Sequence, residues 1–420
     1  MPEASTSPGE TYAEAWRAAA ESGRLDGLTE RYAADAVQEG WLPGGLQRAT
    51  GPALIAVALT RDFGVGSRLD SWQQWTEDGA FEAFFTRADG TRHARYHLIR
   101  ETGGLVTHHW IYPQSPHVIG PGLSGSIIRR IELPDGTVVF DKLISPMGDW
   151  IARATNDRRG REAVLWLDGP LRDLPPCIDY PVIDVTPSVD GWTIRLRDVA
   201  SSLFTDAGPS VEEWRTVISC LHELHERHRG RPPEGLCTMG ERLALFSERV
   251  AQVEIDGTDL LPKFSLHGWT LLPGMLPADV RQPFLALAAE PAPLLRALGS
   301  RPSTMIHGDA NTGNLGLDGG AIVALDWGLA CRAPDEIEYT WILSWTADRD
   351  EVLEVVRSTL SPGRDEPTLQ LAMLYNALFR FSDLAWLIET SQPDWSTRYR
   401  AELEWWMPHV RSGLAALGAR

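Results

Sequence analysis

Residues 303–317, with the sequence STMIHGDANTGNLGL, place a histidine, an aspartate and two asparagines in eight consecutive positions between apolar residues. An aspartate in such a loop can accept the proton of an incoming hydroxyl group and orient it, which is a task that phosphoryl transfer requires. The candidate for this task is Asp309. Five residues later, the amide oxygen of Asn314 can bind Mg²⁺, while Asn311 helps to hold the loop.

A second carboxylate follows at a fixed distance. The run IVALDWG presents Asp326 at the end of an apolar strand, twelve residues after Asn314, as a further oxygen ligand for a hard divalent cation. Either residue alone is also explained by a helix cap or a turn. The joint pattern, H-G-D-x-x-x-x-N followed by an apolar strand and D-W-G, predicts a phosphoryl-transfer centre.

A glycine-rich stretch precedes these motifs. Gly120, Gly122 and Gly125 spell G-x-G-x-x-G at the tip of a predicted hairpin, and Ser126 follows directly. Glycine allows backbone N–H groups to approach phosphate oxygens closely, so these four residues are candidates for binding a nucleotide. An ordinary tight turn is the commoner explanation for such a pattern taken alone.

Lysine is rare in this chain: of 39 lysines and arginines, only Lys142 and Lys263 are lysine. Lys142 lies in the strand after the glycine-rich stretch, from which its ammonium group would point at the phosphates, although an edge-strand surface lysine is the alternative. Glu162, on the next predicted helix, could pair with it. A solvent-facing helix carboxylate explains Glu162 equally well when it is considered alone.

Together these motifs resemble the aminoglycoside phosphotransferase/choline kinase-like family over residues 120–420. The resemblance implies a protein-kinase fold with two lobes and with ATP and Mg²⁺ between them. On the family's pattern, Asp309 is the catalytic base and Asn314 and Asp326 are the metal ligands. Lys142, held by Glu162, contacts the phosphates.

The resemblance also implies a hinge between the lobes at the end of the strand WTIRLRDVA, where Arg197, Asp198 and Val199 would meet the adenine edge. After the D-W-G motif this chain departs from the family, because LACRAPDEIEYTWIL replaces the usual run that ends in Asp-Leu-Ala. The acids of that stretch could face a cationic acceptor, or they could be solvated at a helix start. They are Asp335, Glu336 and Glu338.

The N-terminal quarter has a different pattern. Residues 11–22 and 25–33 read as amphipathic helices, a short extended piece AVQEGWL follows, and GPALIAVALTRDFG suits a third helix. Four strand-like runs then end in Gly and Asp turns, which predicts an α+β domain. This order, with YAADAVQEGWLPGG, resembles the nuclear transport factor 2-like (SnoaL-like) cone fold.

Members of that second family enclose an apolar pocket that is catalytic in some of them and serves only binding or dimerisation in others. The candidate pocket residues here are Asp35, His97, His108, His109 and Trp110. Neighbouring strand residues point to opposite faces, so His108 and His109 cannot both point inward. Ordinary strand and core positions are the alternative explanation for all five.

The predicted architecture is therefore α+β throughout. Residues 1–113 form a cone-shaped nuclear transport factor 2-like domain, and residues 114–119 form a linker. A kinase-like fold with two lobes follows, with an N-lobe over 120–200 and a helical C-lobe over 201–420.

Composition restricts the partners. The net charge of −18, without a basic stripe, argues against nucleic acid. No apolar run reaches the roughly 18 residues that a membrane span needs, and the N-terminus lacks the features of a signal peptide, so we expect a cytoplasmic protein with no membrane partner. The histidines of HELHERH lack the spacing of a zinc site. The four cysteines, with no C-x-x-C spacing, are expected to be reduced thiols.

The leading hypothesis is an ATP- and Mg²⁺-dependent phosphotransferase that acts on a hydroxyl of a small molecule such as an aminoglycoside, a sugar, an amino alcohol or a natural product. The N-terminal domain would shape substrate access or form a homodimer. One alternative is a nucleotide-binding scaffold that does not turn over. Another is a bifunctional enzyme whose N-terminal domain performs an isomerase- or cyclase-like step.

Overall fold

The computed structural model of the 420-residue chain describes most of the second half and a large part of the first. The described residues are Ala15, 30–42, 45–63, 68–74, 80–86, 92–102, 105–112, 118–121, 126–133, 135–188, 191–204, 208–255, 261–360, 366–391 and 393–419. The predicted helix 11–22 thus lies outside this set except for Ala15. So do the tips of several predicted hairpins.

The chain divides into two compact units. The first comprises Met1–Gly122 and Ile127–Glu132, and the second comprises Leu123–Ser126 and Leu133–Arg420. Most of the predicted linker, 114–117, lies outside the described residues, and strand β7 begins at Val118.

A six-stranded sheet forms the centre of the first unit, in the order β2-β1-β6-β5-β4-β3. Strands β1 and β6 run parallel, and the other neighbours are antiparallel. Helix α1 (Pro52–Phe63) buries Ile55 and Leu59. The strands are β1 (Tyr32–Leu42), β2 (Gly45–Thr50), β3 (Arg68–Gln74), β4 (Ala80–Thr86), β5 (Arg92–Thr102) and β6 (Leu105–Tyr112).

In this unit one prediction was wrong at its end, one strand was not predicted, and the predicted extended piece AVQEGWL lies inside β1. The structure begins β1 at Tyr32, inside the stretch predicted to be a helix over 25–33. It also adds β2, whose sequence GLQRAT has no apolar alternation to signal a strand. Both strands are held by pairing with their neighbours in the sheet rather than by local propensity. The α+β class of the unit, with one helix before a four-strand meander, is confirmed.

The strands that follow carry the first candidate site residues. Strand β7 (Val118–Pro121) pairs with β8 (Ile127–Glu132) in an antiparallel hairpin. Strand β12 (Gly191–Arg197) lies between β9 (Val138–Ile144) and β11 (Val182–Ser188), again antiparallel. Strand β9 is rich in β-branched residues and buries most of its side chains, which accounts for its extended form.

The rest of the second unit is mainly helical around one large apolar core. Its helices are α2 (Trp150–Ala154), α3 (Arg161–Leu167), α4 (Val211–His228), α5 (Met239–Ala244), α6 (Glu248–Glu254), α7 (Leu261–Met275), α8 (Ala278–Ala289), α9 (Ala292–Gly299), α10 (Glu336–Ile342), α11 (Arg349–Thr359), α12 (Glu366–Thr390) and α13 (Pro393–Gly418). Glu162 lies on α3, in agreement with the helix predicted for it.

Helix α12 is long and apolar enough to cross a membrane by length and composition, but 83% of its apolar window is buried inside the unit. It contacts α13, α7 and α10, as the central helix of a globular core does.

Two small sheets present the candidate catalytic loops. Strand β17 (Cys331–Ala333) pairs antiparallel with β14 (Thr304–Ile306) and parallel with β13 (Cys237–Thr238). Strand β16 (Ala321–Ala324) pairs with β15 (Leu315–Asp318) and β10 (Ile178–Asp179). The loop with Asp309 therefore joins β14 to β15, and the loop with Asp326 joins β16 to β17.

Candidate active site

The loop after β14 makes a turn that only glycine permits. Gly308 has φ +82°, and a Cβ added there would lie 2.0 Å from the carbonyl oxygen of Leu329. The strand before it is completely buried, so the chain leaves the core here and turns sharply toward Asp309. The glycine before Asp309 thus lets the two loops approach backbone to backbone.

The side chain of Glu338 fixes the backbone of this turn. One carboxylate oxygen accepts the backbone N–H of His307 and the other accepts that of Gly308, each at 2.8 Å. His225 donates from Nε2 to the same carboxylate at 3.0 Å, and its Nδ1 accepts from the hydroxyl of Tyr339 at 2.9 Å. Burial would raise the pKa of Glu338, but the hydrogen bond from His225 and the nearby charges outweigh it and lower the pKa.

The idea that the acids after D-W-G are solvated or face a cationic acceptor is therefore wrong for Glu338. This side chain is 1% exposed and is used entirely inside the fold. Asp335 and Glu336 are also buried, and Asp335 pairs with Arg229 at 2.9 Å. The histidine at position 225, in the run HELHERH, supports the catalytic loop through Glu338.

Asp309 and Asn314 are in direct contact. The Nδ2 of Asn314 donates to the backbone carbonyl and to the Oδ2 of Asp309, each at 3.0 Å. Asn311 accepts the backbone N–H groups of Gly313 at 2.8 Å and of Asn314 at 3.1 Å, so it holds the loop as predicted. With Nδ2 committed to Asp309, the Oδ1 of Asn314 is the atom able to bind a cation.

Lys142 links the helix that carries Glu162 to the loop that carries Asp326. Its ammonium donates to Glu162 Oε2 and to Asp326 Oδ1, both at 2.7 Å. The remaining Glu162 oxygen accepts from the Tyr180 hydroxyl at 2.7 Å and from the backbone N–H of Trp327 at 3.3 Å. Burial alone would lower the pKa of Lys142, but the two carboxylates outweigh it and raise the pKa, so the ammonium stays charged.

Lys142, Glu162, Asp309 and Asp326 line a single pocket in the second unit, together with Asp149 and other residues. Burial, assisted by the charge of Asp326, raises the pKa of Asp309 to about 6. Burial also raises the pKa of Asp149 to about 6. Asp326 behaves oppositely, because Lys142 outweighs the effect of burial and lowers its pKa. The pocket is therefore rich in carboxylates around one lysine, and a polyanion would need added cations to enter it.

The donor set fits a magnesium ion only in part. Within the described ranges no group of three or more His, Cys, Asp or Glu side chains is arranged to hold a metal ion. Asn314 and Asp326 offer two hard oxygen donors on adjoining loops, and Mg²⁺ in phosphoryl-transfer sites commonly takes its other ligands from water and the substrate phosphates. The residues present therefore fit an ion that arrives with a nucleotide.

Other residues predicted from the sequence lie elsewhere or cannot be placed. Gly120 is in β7, whereas Gly122 and Gly125 lie outside the described residues. Ser126 is 3% exposed and precedes β8. Arg197, Asp198 and Val199 stand at the end of β12, and none of them is among the described residues that line the pocket.

Two further pocket residues were missed by the sequence reasoning. Asp149 follows a turn, where its Oδ1 accepts the backbone N–H groups of Ile151 and Ala152, so it reads as an ordinary helix cap. Arg161 donates to the carbonyl oxygen of Gly328 and thereby ties the start of α3 to the loop that carries Asp326. The partner of Arg161 is distant in sequence, whereas those of Asp149 give it the pattern of an ordinary cap. Only the position of each residue directly after a glycine could have drawn attention to it.

The N-terminal candidates separate by strand face as expected. His109 and His97 are buried, with Nε2 and Nδ1 2.9 Å apart, and Tyr32 places its hydroxyl 2.8 Å from His109 Nδ1. Burial lowers the pKa of His109 to about 3, so it is neutral at physiological pH. His108 and Trp110 are only partly buried and stack on each other, and Asp35 is exposed.

Comparison with known proteins agrees with this organisation. Residues 198–371 match the family described as the phosphotransferase enzyme family (APH). No curated protein matches the chain in sequence.

Solved structures similar to the chain fall into two groups. A choline kinase from Streptococcus pneumoniae is 10% identical, with 70% of this chain and 90% of that chain covered and a TM-score of 0.41. An aminoglycoside phosphotransferase from Alicyclobacillus acidocaldarius is 12% identical, with 84% and 92% covered and a TM-score of 0.38. An NTF-2 like protein of unknown function from Burkholderia xenovorans is 18% identical, with 26% and 87% covered and a TM-score of 0.21.

The matches concern different parts of the chain. The N-terminal quarter is the part that matches NTF2-like proteins, and the helical C-terminal part holds both loops of the pocket. The loops that carry Asp309 and Asp326 both lie inside residues 198–371, the range that matches the phosphotransferase enzyme family.

Proposed function

We propose that the protein is an ATP- and Mg²⁺-dependent kinase that transfers the γ-phosphate to a hydroxyl group of a small molecule. The observation that carries the proposal is the position of Lys142, whose ammonium is 2.7 Å from both Glu162 and Asp326 in a pocket that Asp309 also lines. This is the set of charges that a nucleotide triphosphate and its metal ion need.

Asp309 has the role of accepting and orienting the acceptor hydroxyl. Its carboxylate is held by Asn314 and its backbone by the contacts of the preceding glycine, so its direction is set before an acceptor binds. The pKa of about 6 makes it a stronger base than a solvated aspartate, while at neutral pH it is still mainly ionised.

Lys142 would neutralise phosphate charge. Its pairing with Glu162 fixes the direction of the ammonium, and Tyr180 fixes Glu162 in turn. Asn314 and Asp326 would hold Mg²⁺, which supplies the remaining positive charge along the phosphates when it is bound. Electrostatic stabilisation of this kind is the main contribution that a phosphotransferase makes.

The proposal is tested by measuring both ATP turnover and ATP binding. ATP consumption is measured with Mg²⁺ against a panel of aminoglycosides, sugars, amino alcohols and nucleosides, for the full chain and for Asp309→Ala. We expect acceptor-dependent ADP formation by the wild type and a loss of about 10² to 10⁴ in the variant.

Isothermal titration with ATP and Mg²⁺ separates the alternatives. A nucleotide-binding scaffold would bind without consuming ATP with any acceptor, and that result would refute the kinase proposal. Turnover that Asp309→Ala leaves unchanged would refute the role of the aspartate but not the activity.

A further inference from the structure

A buried arginine lies against the catalytic loop. Arg242 is in α5, which starts with a reciprocal cap: Thr238 Oγ1 accepts the backbone N–H of Glu241 at 3.2 Å, and the Glu241 carboxylate accepts that of Thr238 at 2.8 Å. Thr238 belongs to β13, which pairs with β17, and β17 pairs with the strand that leads into the loop. The position of this arginine is therefore fixed by the same small sheet that presents Asp309.

The guanidinium group of Arg242 is completely buried and makes its shortest contact with the loop. Its Nε donates to the carbonyl oxygen of Gly308 at 2.6 Å. Three aromatic rings surround the cation, with centroids at 4.1 Å for Phe379, 5.4 Å for Trp341 and 5.6 Å for Tyr375. Rings at these distances stabilise a desolvated cation through their negative faces.

The charge compensation of this arginine is unusual. No carboxylate among the described residues forms a hydrogen bond to Arg242; its polar side-chain partners are the amide of Asn376, with Nη1 at 3.4 Å, and the hydroxyl of Tyr375. Arg380, which is buried on the same helix as Asn376, pairs directly with the carboxylates of Glu402 and Asp383. A buried charge is costly unless it is paired, so an arginine that serves packing alone would be expected to have such a partner.

Two side chains hold the two peptide units on either side of Gly308. Glu338 accepts the N–H of Gly308, and Arg242 donates to its carbonyl, which belongs to the peptide bond that leads into Asp309. Rotation of that peptide would turn the carboxylate of Asp309 away from the acceptor. We propose that Arg242 is a positioning residue that fixes the Gly308–Asp309 peptide, and hence the catalytic carboxylate, for phosphoryl transfer.

The inference rests on the proposed kinase function, and two readouts test it separately. The first is kcat and KM for ATP with an acceptor that the wild type phosphorylates. A displaced carboxylate affects the chemical step, so we expect Arg242→Met to lower kcat about 50-fold and to change KM for ATP less than about threefold. Lysine retains the charge but not the planar geometry, so Arg242→Lys should lower kcat only about fivefold.

The second readout needs no turnover. Hydrogen exchange of peptides that cover 303–317 should speed up in both Arg242 variants, because the carbonyl oxygen of Gly308 loses its anchor. The matched control is Arg380→Lys, which changes a similarly buried arginine whose described partners are Glu402 and Asp383 rather than the loop. It should lower the melting temperature while kcat stays within about twofold and the exchange of 303–317 stays unchanged.

The outcomes are distinguishable. A folded Arg242→Met protein with kcat within twofold of the wild type overturns the inference and leaves the kinase function standing. If that variant does not fold, Arg242→Lys decides, since wild-type kcat and wild-type exchange in it would also overturn the inference. If the wild type consumes no ATP with any acceptor, the function fails, and the exchange of 303–317 alone still tests the anchoring role.

Discussion

The carboxylate of Glu338 reaches back across 30 residues of sequence to accept the backbone N–H of Gly308 at 2.8 Å. Replacing Glu338 by Gln leaves one acceptor oxygen and sets an NH₂ group against a backbone N–H. A buried donor without a partner costs about 1 to 3 kcal/mol, so we expect the free energy of unfolding to fall by that amount. Because the loop also loses its geometry, kcat should fall about tenfold or more.

Denaturant unfolding and steady-state kinetics measure both effects. Glu351→Gln, at an exposed position in the first turn of α11, is the control and should leave both values unchanged. Equal kinetics for the two variants would contradict the supporting role of Glu338.

Replacement of Lys142 by Met should damage both binding and stability. Glu162, which is 2% exposed, would lose its cation and become a buried charge without a counter-ion, a change that costs about 3 to 5 kcal/mol. The affinity for nucleotide should fall as well, since the phosphates lose the one lysine of the pocket.

The chain supplies its own control for this experiment. Lys263→Met changes the only other lysine, which lies in α7 with no carboxylate contact among the described ion pairs. Isothermal titration with ATP and Mg²⁺ should give wild-type affinity for Lys263→Met and at least a tenfold loss for Lys142→Met. Equal affinities would exclude Lys142 from the nucleotide site.

The sequence predicted the pocket better than it predicted its supports. Lys142, Asp309 and Asp326 were found because each has a residue type and a spacing that the chemistry dictates. Glu338 was named only as a solvated or acceptor-facing acid, and Arg242 was not singled out. Their partners are backbone atoms in a distant loop and rings from α10 and α12, which no local pattern reports. Their burial depends on the tertiary fold alone.

The fold shows the same division. Strand β9 and helix α3, which carry Lys142 and Glu162, lie where the sequence predicted a strand and a helix. Strand β2 was missed because GLQRAT has no apolar period, and its extended form depends on pairing with β1. Pairing across a sheet is a non-local interaction, so a single stretch of sequence does not reveal it.

Asp309→Asn should lower the activity and raise the stability of the protein. The folded-state pKa of about 6 lies above the ordinary value of 3.8, so the folded protein binds this proton more tightly than the unfolded chain does. Its contribution to stability therefore falls as pH rises from about 4 to 6, and above pH 6 the ionised carboxylate costs ~3 kcal/mol.

The neutral amide removes that cost. Urea unfolding without nucleotide should show Asp309→Asn more stable than the wild type at pH 7, with the difference shrinking as pH falls toward 4. Turnover should drop about 10² to 10⁴. The wild-type kcat/KM for MgATP should decline below pH 6, the range in which the free enzyme protonates Asp309. If the difference in free energy of unfolding between Asp309→Asn and the wild type were the same at pH 4 and pH 7, the result would contradict this assignment.

Gly308→Ala tests the turn before the catalytic aspartate. The new Cβ would meet the Leu329 carbonyl oxygen at 2.0 Å and would also be strained at φ +82°. Gly136→Ala is a matched control, since Gly136 has φ +84° but no atom within 4 Å of the place that a Cβ would occupy. We expect about 1 kcal/mol of destabilisation for Gly136→Ala and ~3 kcal/mol or more for Gly308→Ala.

Only Gly308→Ala should also lower kcat, because its clash separates the two loops of the pocket. Thermal unfolding and turnover of the purified variants give the comparison. Similar losses of stability in both would mean that backbone conformation alone, rather than the close approach to Leu329, requires glycine at position 308.

The ion pairs of Lys142 have a consequence for how helix α3 moves. Because Glu162 is bonded at once to Lys142, to Tyr180 and to the backbone of Trp327, helix α3 is fastened to the loop of Asp326. One carboxylate thus joins the helix to the loop, and we expect the two elements to shift together as one body rather than independently.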